Sequence, residues 1–191
     1  MPTFEKGSSI KASYDGVRHV LGEADWDRVV QALPDDVRQI VLAPEKHAMI
    51  PSSVTGQLYS TVFNVVCGGD RASIERLLRT AGTRDAEEML NGVFSVFARF
   101  VSPHQAFKRA GGMLASVYTG VGHETIEDED GKGGVLVLTG LGEEPFSACL
   151  ICGWIEQACR RFGATNPRVH ERQWDAGHNA SDRLEFVIRW E

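Results

Sequence analysis

The stretch VGHETIEDEDGKGGVLVLTGL, residues 121–141, decides the fold that this chain is predicted to adopt. Residues 121–127 and 135–141 have the spacing and the β-branched content of strands. The connection between them, residues 128–134, contains three glycines, which supply the positive φ angles of a tight turn. The sequence therefore predicts a β-hairpin here, at the point where helical spacing ends.

A helix and a second pair of strands follow this hairpin. Residues 146–162 have helical spacing, and Gly163 ends them because glycine readily adopts the left-handed conformation at a helix end. Residues 168–174 and 183–190 alternate again. The last strand places four apolar side chains on one face, Leu184, Phe186, Ile188 and Trp190. We therefore expect it to belong to the core sheet.

The part of the chain before the hairpin is predicted to be helical. Apolar residues recur every three or four positions, and Ser, Thr, Asp or Pro stands at most of the starts. Gly82 is interpreted as the boundary between two helices, and residues 43–51 as a loop. The predicted helices cover residues 13–21, 25–33, 34 onward, 53–67, 70–82, 83 to about 101, and 103–118. These elements predict an α+β fold in which N-terminal helices pack on a roughly four-stranded antiparallel sheet.

Size and composition favour one domain. A chain of 191 residues can bury a core without disulfides or a structural metal. We expect a single domain over residues 1–191, with residues 1–50 as its helical N-terminal extension. No apolar run approaches the roughly eighteen residues of a membrane span. The formal net charge of -6 argues against non-specific binding of nucleic acid, which depends on clustered Lys and Arg.

The cysteines bear on the compartment. Residues 1–6 carry no secretory signal, and four cysteines in such a chain are expected to be free thiols in a reducing cytoplasm. Cytoplasmic localisation and the absence of disulfides are therefore predicted.

The order of several short motifs resembles a known superfamily. The motifs, spread over about three quarters of the chain, are Gly68-Gly69-Asp70, Ser102-Pro103, residues 118–122, Cys152-Gly153, residues 162–164 and residues 186–190. They are similar to those of a superfamily that includes the 4-vinyl reductase domain, the TRAPP-type vesicle-tethering subunits and, more distantly, the haem nitric-oxide/oxygen-binding domains. The likeness is nearest to an uncharacterised branch found in myxobacteria. It implies helices on one antiparallel sheet of about four strands, with an apolar pocket or a dimer surface between the layers.

The same resemblance sets expectations about chemistry that this sequence meets only in part. The 4-vinyl reductase domains carry cysteines in the final hairpin, where this chain has Trp174 and residues 175–182. The haem-binding relatives need an axial His and a Tyr-x-Ser-x-Arg clamp, and this chain has no such clamp. His104 stands in roughly the right region, but a surface or capping role is favoured for it. No cofactor is predicted.

Other candidate sites have ordinary structural readings. Cys149 and Cys152 have the spacing of a redox pair and Cys159 follows two turns later, but their apolar neighbours favour packing in the core over redox exchange or metal binding. The acidic run at residues 124–130 is interpreted as a solvated hairpin tip in preference to a cation site. His170 and His178 flank the last turn and are expected to be exposed. No catalytic motif, acid or base is evident, so an enzyme is not predicted.

The remaining hypothesis is a non-enzymatic cytoplasmic module that binds a small apolar ligand or a partner protein. Its predicted pocket is formed by aromatic and flexible apolar side chains, namely Phe94, Phe97, Phe107, Met113, Val117 and Trp154. A filled core is the alternative for these residues. Cys67 is a possible acylation site, with a buried structural thiol as the alternative. A homodimer or a complex subunit, and an enzyme that modifies a tetrapyrrole or an aromatic compound, remain the alternative functions.

Overall fold

A computed structural model describes residues 3–91, 101–141, 144, 146–172 and 183–191, with the backbone only at 114 and 115. These residues form an α+β fold of helices and two antiparallel sheets, which confirms the predicted class. In chain order the elements are β1 (Phe4–Lys6), α1 (Gly7–Leu21), α2 (Glu23–Ala32), α3 (Asp35–Leu42), β2 (Met49–Pro51), α4 (Ser52–Val65), α5 (Arg71–Asn91), α6 (Pro103–Ala115), β3 (Tyr118–Thr119), β4 (Gly122–Glu127), β5 (Gly133–Thr139), α7 (Ser147–Arg161), β6 (Arg168–Glu171) and β7 (Arg183–Arg189).

The larger sheet is the predicted four-stranded one. Its strand order is β4-β5-β7-β6, with antiparallel pairing throughout. The last strand, β7, therefore lies inside the sheet, between β5 and β6. Its alternate side chains Leu184, Phe186 and Ile188 are buried, which confirms that this strand belongs to the core.

A second, smaller sheet was not predicted. It joins β2, β1 and β3 in that order, so residues 4–6 pair with both other strands. The prediction of a loop over residues 43–51 is wrong at its end, where β2 lies. Strands of two or three residues are too short to show an alternating pattern, which explains why the sequence did not indicate them.

Two helix boundaries also differ from the prediction. α1 begins at Gly7, six residues earlier than Ser13. More importantly, Gly82 does not separate two helices, since α5 continues through it from Arg71 to Asn91. Glycine within a helix costs only about 1 kcal/mol relative to alanine, so close packing can keep it there.

The reason for glycine at position 82 is the approach of α7. A Cβ atom built on Gly82 would lie 2.0 Å from the carbonyl oxygen of Leu150, and one built on Gly153 would lie 2.0 Å from that of Arg79. The backbones of α5 and α7 are thus in direct contact at two glycines. On its other side, α5 contacts α1, where a Cβ on Gly16 would lie 3.1 Å from the Ala81 oxygen.

Two clusters of buried apolar residues form the core. One joins α1 to α5 and includes Ile10, Leu58 and Leu78; the other joins α7 to the larger sheet and includes Trp154 and Phe186. Within the described part of the chain, none of the helices is long and apolar enough to cross a bilayer.

The contact between α5 and α7 generates a prediction about stability. Gly82→Ala should lower the free energy of unfolding by about 1 to 3 kcal/mol, because the new methyl group overlaps the Leu150 backbone. Gly112→Ala is the matched control. It is an exposed glycine within α6 whose added Cβ would be 3.7 Å from its nearest neighbour, so alanine should stabilise by about 0.5 to 1 kcal/mol. Urea denaturation measures both, and an equal effect of the two substitutions would contradict this packing.

Candidate functional site

A mostly apolar cavity lies between α1, α5, α6 and α7, beside β1. Its volume is about 170 Å³. A cavity of roughly 150 Å³ inside a protein can hold one benzene molecule, so this one has room for a small organic compound. Most of its wall is apolar and is formed by Met89, Met113, Val117, Leu150, Ile151 and Trp154.

One end of the cavity is polar, and α1 organises it. Ser9 and Ser13 lie one helical turn apart and so share a face of α1. The Ser9 hydroxyl donates to Oε1 of Glu5 at 3.0 Å, and the Ser13 hydroxyl donates to Oδ2 of Asp85 at 3.1 Å. α1 therefore positions one carboxyl from β1 and another from α5 at the same end of the cavity.

Both carboxyl groups are deeply buried. Glu5 is 4% exposed and Asp85 is 5% exposed. The second oxygen of Asp85, Oδ1, is buried and has no hydrogen-bond partner among the described residues. An unpartnered buried acceptor costs about 1 to 3 kcal/mol, more when it is charged, so its presence in a native structure calls for an explanation. No Lys, Arg or His side chain lines the cavity among the residues that the structure describes.

The environment changes the acidity of these groups. Burial, reinforced by the nearby Glu144, raises the pKa of Glu5 well above its usual range against the opposing hydrogen bond from Ser9. Burial also raises the pKa of Asp85 to about 6, while the hydrogen bond from Ser13 lowers it and Glu88 adds a small increase. Carboxyl groups with shifted pKa values in a cavity mark a candidate functional site.

The predicted pocket residues divide into three groups. Met113, Val117 and Trp154 do line the cavity. Phe107 lies elsewhere, over Gly134 and edge-to-face with Trp190 at 6.0 Å between ring centroids. Phe94 and Phe97 fall outside the described residues. A role in ligand contact stays a prediction for the three that line the cavity.

The cysteines of α7 are core residues, as predicted. Cys149, Cys152 and Cys159 are buried and free. Burial raises the pKa of all three, to about 12 for Cys152 and Cys159. Two of them, Cys149 and Cys152, line a second, polar cavity with Arg79 and His170, but a protonated thiol is a poor nucleophile and a poor metal ligand.

Cys67 is half-buried at the end of α4 and is also free. Burial and then the charge of Asp70 raise the pKa of its thiol. Its acylation stays a prediction.

His104 and the acidic hairpin lie away from the cavity. His104 Nε2 is 3.2 Å from Oε2 of Glu127, which Lys108 also contacts at 3.2 Å. Asp128 pairs with Arg189 on the neighbouring end of β7. In the described part of the chain, no three His, Cys, Asp or Glu side chains converge as a metal site would require. His170 is exposed, and His178 lies outside the described residues.

The comparisons with known proteins identify the fold. No protein-family model matches this chain, and no curated protein matches it. Solved structures do match over nearly its whole length. The Fe(II) unliganded H-NOX protein from K. algicida has a TM-score of 0.70 at 12% sequence identity, covering 97% of this chain and 96% of that one. An H-NOX protein from S. oneidensis in the Fe(II)NO ligation state has a TM-score of 0.63 at 12% identity, covering 97% and 99%.

A third match is an oxygen-binding H-NOX domain related to soluble guanylate cyclases, in its oxygen complex. Its TM-score is 0.59 at 14% identity, covering 97% of this chain and 95% of that one. The chain therefore has an H-NOX-like fold. Of the three branches of the predicted resemblance, this is the one that the comparisons support, whereas the likeness to 4-vinyl reductase and TRAPP proteins stays a prediction.

The described residues of the cavity do not fit a haem. No His or Cys lines it, and burial keeps the Tyr118 phenol protonated by raising its pKa well above the usual value. The volume of about 170 Å³ is below the roughly 300 to 1,000 Å³ of typical cofactor sites. Glu5 and Asp85 would also repel the acidic propionates of a haem. His104, the candidate axial ligand, contacts the β4–β5 hairpin instead.

Sequence reasoning missed both carboxyl groups. Asp85 follows Ile74, Leu78 and Ala81 on the buried stripe of α5, and this spacing was a usable signal. It was overlooked because the helix was divided at Gly82. Glu5 lies in a strand of three residues, where no periodic signal exists.

The raised pKa of Asp85 predicts a pH-dependent stability. A buried acid whose pKa is near 6 in the folded chain and about 3.9 in the unfolded chain destabilises the fold once it is ionised. The free energy of unfolding of the wild type should therefore fall as the pH rises from about 4 to 6, because the protonated Asp85 that the fold tolerates becomes ionised. Asp85→Asn keeps an oxygen that accepts from Ser13 but carries no charge. The free energy of unfolding of this variant should equal that of the wild type near pH 4 and exceed it by about 2 to 3 kcal/mol at pH 7.

Denaturant unfolding at pH 4, 5, 6 and 7 measures this difference, with Asp36→Asn as a control at an exposed position of α3. The control should show no such trend. A wild type that is as stable as Asp85→Asn at every pH would contradict the burial of an ionised Asp85.

Proposed function

We propose that this chain is a non-enzymatic binding module that holds one small organic molecule in the cavity between α1, α5, α6 and α7. The observation that carries the proposal is the cavity itself, an apolar space of about 170 Å³ ending in an unpartnered buried carboxylate oxygen. Protein interiors are close-packed, so an apolar cavity that reaches solvent departs from ordinary core packing. A bound molecule would fill the cavity and remove its apolar wall from water.

The lining supports a ligand of moderate size and irregular shape. Met89 and Met113 lie on two different helices and can adapt to the ligand, while Trp154 offers a flat apolar surface. Ser116 is exposed and lines the cavity, so it marks the route to solvent. The H-NOX proteins that share this fold are named for binding small ligands, which is consistent with a binding role for the same layers here.

Binding without turnover is part of the proposal. Asp85 could exchange a proton near pH 6, but the lining serines Ser9, Ser13 and Ser116 donate to carboxyl or carbonyl oxygens, and no imidazole or amine base accompanies them among the described lining residues. An enzyme acting on a tetrapyrrole would also need a larger space. The free thiols support a reducing compartment, and we propose the cytoplasm.

Assembly is the alternative function. β4 is an edge strand of the larger sheet, and its Ile126 is 48% exposed, so this edge could pair with another chain. Native mass spectrometry separates the alternatives in one measurement. A monomer carrying a small added mass supports the binding module, whereas a ligand-free dimer supports assembly.

The cavity predicts that one large substitution is tolerated. Val117→Trp should keep the melting temperature of the wild type, because the indole ring enters the cavity, and should abolish binding of 2-phenylethanol as a probe. Val62→Trp is the control for a filled core, at a fully buried valine of α4 away from the cavity, whereas Val117 is half-buried on the cavity wall. The free energy of unfolding of this control should fall by about 1 to 3 kcal/mol, because the indole ring overpacks the core.

Thermal unfolding and calorimetric titration of the probe measure these outcomes. If Val117→Trp is as damaging as Val62→Trp and the wild type binds no probe, the space is a filled core and the proposal is wrong.

A further inference from the structure

We propose that the molecule bound in this cavity is an amine, with its ammonium group held by Asp85 and Glu5 and its apolar body held by the methionines and Trp154. The inference rests on the proposed function and specifies the chemical class of the ligand.

The polar end of the cavity has one more hydrogen-bond acceptor than the described side chains there can satisfy. Oδ1 of Asp85 is an acceptor without a donor on a side chain that is more than nine-tenths buried and lines the cavity. The neighbouring serines cannot supply that donor, since each hydroxyl has one hydrogen. Ser9 donates to Glu5, Ser13 to Asp85 Oδ2, and Ser116 to the Met113 carbonyl oxygen at 2.7 Å. Asp85 Oδ1 is therefore free to accept a hydrogen bond from a group that enters the cavity.

The polar end of the cavity is acidic. Burial raises the pKa of Glu5, and the nearby carboxyls of Glu144 and, to a smaller extent, Asp85 raise it further. No basic side chain among the described lining residues balances them. Because the fold already bears the cost of removing these carboxyls from water, a cation that enters gains the full charge-assisted hydrogen bond.

The cation that suits this site is an ammonium group and not a metal ion. The described carboxyl groups do not converge in threes as metal ligands do. An ammonium group donates three hydrogen bonds in separate directions, which suits two carboxyls on different elements and the hydroxyl oxygens between them. The cavity as a whole has a volume of about 170 Å³, which suits an apolar body near the size of benzene.

The experiment compares three probes that share one ring and differ in the head group. They are 2-phenylethylamine, 2-phenylethanol and 3-phenylpropionate, titrated calorimetrically into the full chain at pH 7.5. The amine should bind at least about tenfold more tightly than the alcohol, and the acid should not bind. In Asp85→Asn, the affinity for the amine should fall to that for the alcohol, and the affinity for the alcohol should not change. The exposed control Asp36→Asn should change neither affinity.

The possible outcomes distinguish this inference from the proposed function. Equal binding of amine and alcohol, lost in Val117→Trp, would overturn the amine class and leave the binding module intact. Binding of none of the probes by the wild type would overturn both. Glu5→Gln is the second variant, and a loss of amine preference in it would support the shared carboxyl site even if Asp85→Asn failed to fold.

Discussion

The contact between the α5 and α7 backbones at Gly82 and Gly153 is the constraint on which the rest of the structure depends. A Cβ atom at either position would lie only 2.0 Å from a backbone carbonyl oxygen of the other helix. The two helices can therefore approach this closely only where both residues are glycine. This crossing fixes Asp85 one turn further along α5 and places Leu150 and Trp154 of α7 beside it. The approach of α1 at Gly16 then brings Ser13 within hydrogen-bonding distance of Asp85.

The same arrangement explains why the site costs stability. α1, α5 and α7 pack closely at the glycines, and the space beyond that contact opens as the cavity, lined by flexible side chains and ending in two buried acids. Ordinary core positions do not retain an unpartnered carboxylate oxygen, because an apolar residue of similar size would be more stable there. Local instability of this kind is common at binding sites, where function opposes stability.

The fold was largely predictable from the sequence, but the site was not. The glycine-rich turn before β5 predicted the first hairpin of the larger sheet, after the helices. The alternation of Leu184, Phe186 and Ile188 predicted that β7 is buried in the same sheet. The site depended on two features that local patterns represent poorly. Gly82 was interpreted as a helix end because glycine usually disfavours helix, whereas here a tertiary contact requires it. Residues 4–6 showed no strand pattern, so Glu5 had no predicted place.

The chain shares a fold with haem-binding proteins, but the described residues of its cavity do not suit a haem. The fold is similar to that of solved H-NOX proteins, yet the described lining of the cavity offers carboxyl groups and thioethers, whereas a haem needs an axial ligand such as an imidazole and basic partners for its propionates. The layers of one fold can enclose chemically different cavities, because the residues that line a cavity can change while the packing of the layers stays.

The central claim, that an ionisable acid is buried at the end of this cavity, is tested most directly by carboxyl ¹³C NMR titration of the ligand-free protein. The account predicts that the Asp85 resonance titrates with a pKa of about 6 and that saturating 2-phenylethylamine lowers this value. A pKa near the ordinary value of about 4, unchanged by the amine, would contradict it.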